Sequence, residues 1–196
     1  MERLINPRDG SVLLPSQITL SARLMHQEFK AWEIYDFVRA LPGEKGFRRY
    51  QFLAGSMHEK PWQAIISFFN ELLVNVQLGA NLYARDQWEK AGHDLDIEAE
   101  TKRFHEKILV ANLGAPEVSR VPRSHHNKDL ADHQITLAIP ATWKYTWGSV
   151  VSSYDFNAKS TMMRITYTNR TEKKFSRFKT KQTPQNSSRP AQQRRR

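Results

Sequence analysis

A chain of 196 residues, 39% hydrophobic and 11% aromatic, is long enough for one well-buried core and too short for two large domains. It contains no cysteine, which excludes a disulfide framework, a thiolate zinc site and a cysteine nucleophile. No run approaches the ~18 uninterrupted apolar residues of a membrane span, and the opening MERLINPRDG lacks the apolar core of a secretory signal, so the expectation is an intracellular protein without membrane contact.

The formal net charge of +10 is unevenly placed. Residues 169–196 hold ten Lys and Arg against the single acid Glu172, which leaves the first 168 residues close to neutral. The high isoelectric point is therefore a property of the C-terminal segment.

In chain order, residues 1–15 read as an irregular arm pinned by one contact, with Pro7, Gly10 and Pro15 around the short Val12-Leu13-Leu14 run. Ser16 is a good N-cap for a first helix that places Leu20, Leu24, Ala31, Ile34, Tyr35, Val38 and Leu41 on one face and stops at Pro42-Gly43. Phe47 to Met57 suits a short second helix, although its Tyr50 to Leu53 part is also compatible with extended chain. The most apolar long stretch, Pro61 to Lys90, places Trp62, Ile65, Ile66, Phe69, Leu72, Leu73 and Val76 at helical spacing and predicts a central helix, with Gly79 as a kink or close contact. A fourth helix is expected from an Asp94 N-cap, with Asp96, Glu98 and Glu100 at its positive end, to a stop at Gly114 and Pro116.

Beyond a polar loop the period changes to two. Ile135-Leu137-Ile139, Trp143-Tyr145-Trp147 and Met163-Ile165-Tyr167 read as three strands, with turns at Pro140, near Gly148 and over Asp155 to Lys159. The expected architecture is mainly α with a small β appendage, an α+β fold. It comprises the arm (1–15), an antiparallel bundle of about four helices (16–114), a loop and small antiparallel sheet packed on it (115–168), and a disordered basic tail (169–196).

The tail carries the clearest chemical signal. Arg170, Lys173, Lys174, Arg177, Lys179, Lys181, Arg189, Arg194, Arg195 and Arg196 can neutralise the phosphates of a polyanion and release its counterions. Phe175 and Phe178, interleaved among them, can stack on unpaired bases. The cations Lys45, Arg48 and Arg49 either join that contact or form a solvated face, and the Trp143-Tyr145-Trp147 ladder reads as the buried side of the sheet rather than a base platform.

Two enzyme-like patterns compete with this. Arg120 and His125 have the spacing of helical metal-independent ribonucleases, but Pro122 makes the segment a loop. His125, His126, Asp129, Asp132 and His133 offer nitrogen and oxygen ligands without a helical metal motif. The expectation is therefore a non-enzymatic structural protein without cofactor or metal. It binds nucleic acid, RNA in the first place, and self-associates into a coat-like or nucleocapsid-like particle such as a virion. The alternatives are a nucleic-acid-processing enzyme using Arg120 and His125, or a regulatory adaptor localised by its tail.

Overall fold

Tyr50, Phe52 and Ala54, then Trp62, Ala64, Ile66 and Phe68, then Val76 and Leu78 are all buried, a period of two that belongs to strands. In the computed structural model, which describes residues 3–80, 94–117 and 132–168, these residues line one face of a seven-stranded antiparallel sheet. The strands in chain order are β1 (Val12–Leu13), β2 (Thr19–Leu20), β3 (Arg39–Leu41), β4 (Phe47–Met57), β5 (Lys60–Phe69), β6 (Leu72–Ala80), β7 (Ala141–Tyr145), β8 (Gly148–Asp155) and β9 (Ser160–Tyr167). The large sheet has the order β3-β4-β5-β6-β9-β8-β7, while β1 and β2 pair separately. Helices α1 (His26–Lys30), α2 (Leu95–Leu113) and α3 (Asp132–Ala138) and a 3-10 turn, Glu33–Phe37, complete the described chain.

The helical bundle expected over 16–114 is therefore replaced by a mainly β fold. The Ser16 to Leu41 stretch is broken into β2, α1, the 3-10 turn and β3; Phe47 to Met57 is β4; and Pro61 to Ala80 is the hairpin β5-β6. The remainder of the expected central helix, 81–90, lies outside the described residues. The physical cause is in the turns. His58 and Glu59 have φ of 53° and 61°, and Asn70 and Glu71 have 47° and 72°, so both hairpins close through two consecutive left-handed residues. Glycine, the usual sequence mark of such a turn, is absent from both. At Glu71 the unfavourable backbone is held by the N–H of His26, which donates to its carbonyl at 2.8 Å.

The other departures have equally local reasons. Ile135-Leu137-Ile139 is not a strand, since Ile135 to Ala138 belong to α3, which buries Leu137 beside Ala99 and Tyr154 and turns Ile135 outward. Strand β8 lies between the turns expected near Gly148 and over Asp155 to Lys159, where no strand was expected, because its inward residues Val150, Ser152 and Tyr154 include a serine that weakens the alternation. Gly79 is a strand residue whose missing side chain admits Met162, with Sδ only 2.5 Å from where a Cβ would stand. Three expectations agree with the structure. Helix α2 starts at the Asp94 cap, whose carboxylate accepts the Asp96 N–H at 2.8 Å, and stops at Gly114. Strands form at Trp143-Tyr145 and Met163-Tyr167, and the turn after Asp155 is fixed by its carboxylate accepting from Asn157 and Ala158 at 2.9 and 3.0 Å.

One face of the sheet is covered by α2 and by the N-terminal segment. Leu4, Ile5, Val12, Leu14, Leu20, Leu24 and Phe29 are buried against it, so the described residues 3–15 supply core where an irregular arm pinned by one contact was expected. The Trp147 indole donates to the Pro7 carbonyl at 3.0 Å and the Tyr167 hydroxyl to the Gly10 carbonyl at 2.9 Å, which ties the N-terminal segment to the β7-β8 turn and to β9.

Helix α2 attaches in a different way, through polar atoms. Strands β6 and β9 pair only over Asn75–Leu78 and Met163–Thr166, and beyond that their ladder stops. At that place Ala80 N–H donates to His105 Nε2 at 3.0 Å and Thr161 N–H donates to the Glu98 carboxylate at 2.7 Å. Two side chains of one helix thus occupy strand donors that would otherwise be buried and unsatisfied. His105 is fully buried beside Trp62, and because Nε2 is an acceptor its ring proton sits on Nδ1, which finds no partner among the described residues.

Burial, reinforced by the charge of Lys102, lowers the His105 pKa from 6.5 to about 3. Between those values the unfolded chain takes up a proton that the folded one refuses. Stability should accordingly fall as pH drops below 6.5, by up to about 1.4 kcal/mol per pH unit. Thermal unfolding between pH 7.5 and 4 measures the slope. His105→Gln, which keeps an acceptor for Ala80, should flatten that slope at little cost, whereas His105→Ala should flatten it too but cost at least ~2 kcal/mol at pH 7.5, a deficit that shrinks as pH falls.

Candidate nucleic-acid interface

The opposite face of the sheet is built from the polar positions of the same alternation. Strand register aligns Leu41, Arg49, Ser67, Asn75, Thr166, Ser149 and Lys144 in one row across all seven strands. A second row runs Arg39, Gln51, Ile65, Gln77, Arg164, Val151 and Thr142. Together they hold four cations and no carboxylate, and apart from Ser67 every member is at least partly exposed. Lys144 is paired at the edge, 2.6 Å from Glu117, while no ion pair engages Arg39, Arg49 or Arg164 among the described residues.

Side chains on this face are positioned by the sheet itself. The Asn75 amide donates to the Ile165 carbonyl at 3.1 Å and to Thr166 Oγ1 at 3.2 Å, and it accepts from Gln77 at 3.2 Å. Arg49, Arg164, Asn75, Gln77, Ser67 and Phe47 line a shallow groove of about 540 Å³, closed at one end by the 42–44 loop with Glu44. Phe47 packs on Phe69 across strands β4 and β5, ring centres 4.8 Å apart. The chain leaves β9 at this end: Thr168 N–H donates to the Trp147 carbonyl at 2.8 Å, two residues beyond Thr166 of the first row. Thr168, which precedes the basic segment 169–196 in the chain, thus stands beside the cationic face.

A cluster of titratable groups stands at the same end of the sheet, on its covered side. Arg48 donates to His26 Nδ1 at 3.0 Å, which leaves Nε2–H to donate to the Tyr50 oxygen at 2.7 Å. Glu71 pairs with the Arg48 guanidinium and lies 3.5 Å from His26 Nδ1. Burial, followed by the Arg48 charge, lowers the His26 pKa. The Tyr50 hydroxyl is pushed up to about 12 by burial and by its hydrogen bond with Tyr35. His26 is buried, carries α1, and stacks on Tyr50 and against Phe68. Its neutral ring and its packing make it a clamp between α1 and the sheet, not a proton donor to an outside ligand.

No family model, curated protein or solved structure matches the chain.

The structure separates the cations named from the sequence. Arg49 lies on the open face, Arg48 points to the covered side and pairs with Glu71, and Lys45 is exposed on the loop between β3 and β4. The tail residues Arg170, Lys173, Lys174, Phe175, Arg177, Phe178, Lys179, Lys181, Arg189, Arg194, Arg195 and Arg196 lie outside the described residues, as do Arg120, His125, His126 and Asp129. Asp132 and His133 open α3, with their side chains outside the described atoms, and no metal-binding cluster occurs among the described residues. Trp143 is buried with its indole donating to the Gly114 carbonyl at 2.9 Å, and Tyr145 and Trp147 pack on the core, so the aromatic ladder faces inward. Arg39, Arg164, Asn75 and Gln77 do not stand out in the sequence, because the stretches that hold them, that of Arg164 apart, have apolar spacing that suits a helix. The alternating polar positions of β4, β5 and β6 are the available signal.

If the His26 cluster is a clamp, Tyr50→Phe should cost about 1–2 kcal/mol in urea unfolding by leaving the buried Nε2–H without an acceptor. The same variant should leave RNA affinity unchanged within twofold.

Proposed function

We propose that the protein binds nucleic acid, RNA in the first place, as a non-enzymatic structural component, through the open sheet face together with the basic segment 169–196. The observation that carries this reading is the pair of seven-residue rows that hold Arg39, Arg49, Arg164 and Lys144 and no carboxylate. In a body whose net charge is close to zero, that segregation produces one positive face on which phosphates can replace counterions. The tail adds reach and charge density next to it. The non-enzymatic part is supported by the two buried histidines among the described residues, His26 and His105, whose rings are engaged in buried hydrogen bonds.

Self-association, the second half of the reading, has a candidate surface in edge strand β3. It is paired on one side within the large sheet, and Phe37 beside it is 82% exposed. An open edge of this kind can extend a sheet from one copy to the next.

Truncation after Thr168 tests the tail and the face separately. Fluorescence anisotropy with labelled RNA should show affinity lowered by ten- to a hundredfold, with the slope of log affinity against log salt flattened by roughly 0.7 for each phosphate that the tail no longer neutralises. Arg49→Glu with Arg164→Glu in the truncated chain should then abolish the remainder. Full affinity in that doubly altered, truncated chain would overturn the reading. Size-exclusion chromatography with and without nuclease should show the assembled fraction shrinking once RNA is digested.

A further inference from the structure

The groove on the open face points beyond nucleic acid in general to one form of it. We infer that this site selects single-stranded over duplex nucleic acid, an inference that rests on the proposed function and narrows it.

A duplex presents phosphates and sugars on its outside and keeps its bases stacked within, so a surface that grips it needs cations throughout. Here the cations stand apart. Arg49 on β4 and Arg164 on β9 are three strands across and two residues along from each other, roughly 16 Å at the ordinary strand spacing and rise. Between them lie groups that suit bases: the Asn75-Gln77 amide pair and the partly exposed Ile65. Asn75 is fixed by its bonds to the backbone and to Thr166, which leaves the Gln77 carbonyl open to a base edge. Phe47, half-exposed at the groove end and supported from the side by Phe69, offers a ring on which an unpaired base can stack. Guanidinium groups flanking an amide-and-aromatic floor are what an unstacked strand of on the order of four to six nucleotides can use at once. A duplex reaches only the flanks. Glu44 at the rim is the groove's only carboxylate among the described residues, and it opposes any phosphate there.

The test uses the full chain and fluorescence anisotropy at 0.15 M salt, close to physiological ionic strength, with a labelled twelve-nucleotide RNA single strand and the same sequence as a duplex. The single strand should bind about tenfold more tightly or better. Phe47→Leu and Gln77→Ala should each weaken the single strand three- to tenfold while changing duplex affinity less than twofold, and Glu44→Gln should tighten the single strand two- to threefold. Circular dichroism melting confirms that each variant is folded. Should Phe47→Leu melt early, Gln77→Ala at the surface carries the test alone. Equal or tighter duplex binding that still falls with Arg49→Gln and Arg164→Gln would overturn the single-strand inference and leave nucleic-acid binding by this face intact. Binding of both forms that ignores those arginine variants would overturn the site and the inference together.

Discussion

The fold depends on what happens where β6 and β9 part. Two central strands of an antiparallel sheet cease to pair after four residues each, at the middle of the molecule, where water is excluded. An open ladder there leaves N–H groups to lose their solvation without replacement, which is among the larger single penalties a small protein can carry. Helix α2 resolves this with Glu98 and His105, seven residues or two turns apart on one side of the helix, accepting from Thr161 and Ala80. The side of α2 turned toward the sheet is consequently polar for much of its length, with Glu98, Thr101, Lys102 and His105 all buried. Its docking is specified by hydrogen-bond geometry as much as by apolar area, and sliding it by one residue would break both bonds.

That docking also decides which face of the sheet remains open. With α2, α3 and the N-terminal segment all on one side, the aromatic and branched residues of β4 to β9 have a single place to be buried, and the other side of every strand is left to the polar half of the alternation. Acidic residues gather at the start of the helix, where Asp94, Asp96, Glu98 and Glu100 suit its positive end, while Arg39, Arg49 and Arg164 fall on the open side of strands. A body with almost no net charge therefore has a pronounced polarity of charge. The electrostatic character of the molecule follows from the topology as well as from the composition.

How far the sequence can be read depends on whether the deciding information is local. Helix α2 is legible because Asp94, the acids after it and Gly114 are all short-range signals. The hairpins β4-β5 and β5-β6 are not. Their turns place His58, Glu59, Asn70 and Glu71 in left-handed backbone that glycine would have advertised, and adjacent pairs such as Ile65-Ile66 and Leu72-Leu73 fill out a helical stripe as readily as a strand. What selects the strand is a partner: Glu71 is held by His26 and Arg48, forty-five and twenty-three residues away. The open face shares this fate, since Arg49, Asn75 and Gln77 become one row or its neighbour only when the register is known. Arg164, in a strand that the alternation does reveal, belongs to no visible group until β6 is beside it.

The bonds between the first residues and the last strand bear on how the chain reaches this structure. Gly10 accepts from Tyr167 across 157 positions, and Leu4 N–H donates to Asn112 across 108. Because β9 also supplies the central pairing with β6, the sheet has no complete core until nearly all of the described chain exists. A chain emerging in order must hold Ile5, Val12, Leu14 and Leu20 without their final cover until then. High contact order of this kind makes for slow folding and a long exposure of apolar strands. The same closure gives the finished molecule a kinetic seam. Once Tyr167 and Trp147 are seated on the N-terminal segment, β9 cannot leave the sheet without uncovering the beginning of the chain, so the strand from which the basic segment departs is the last to arrive and the last to come away.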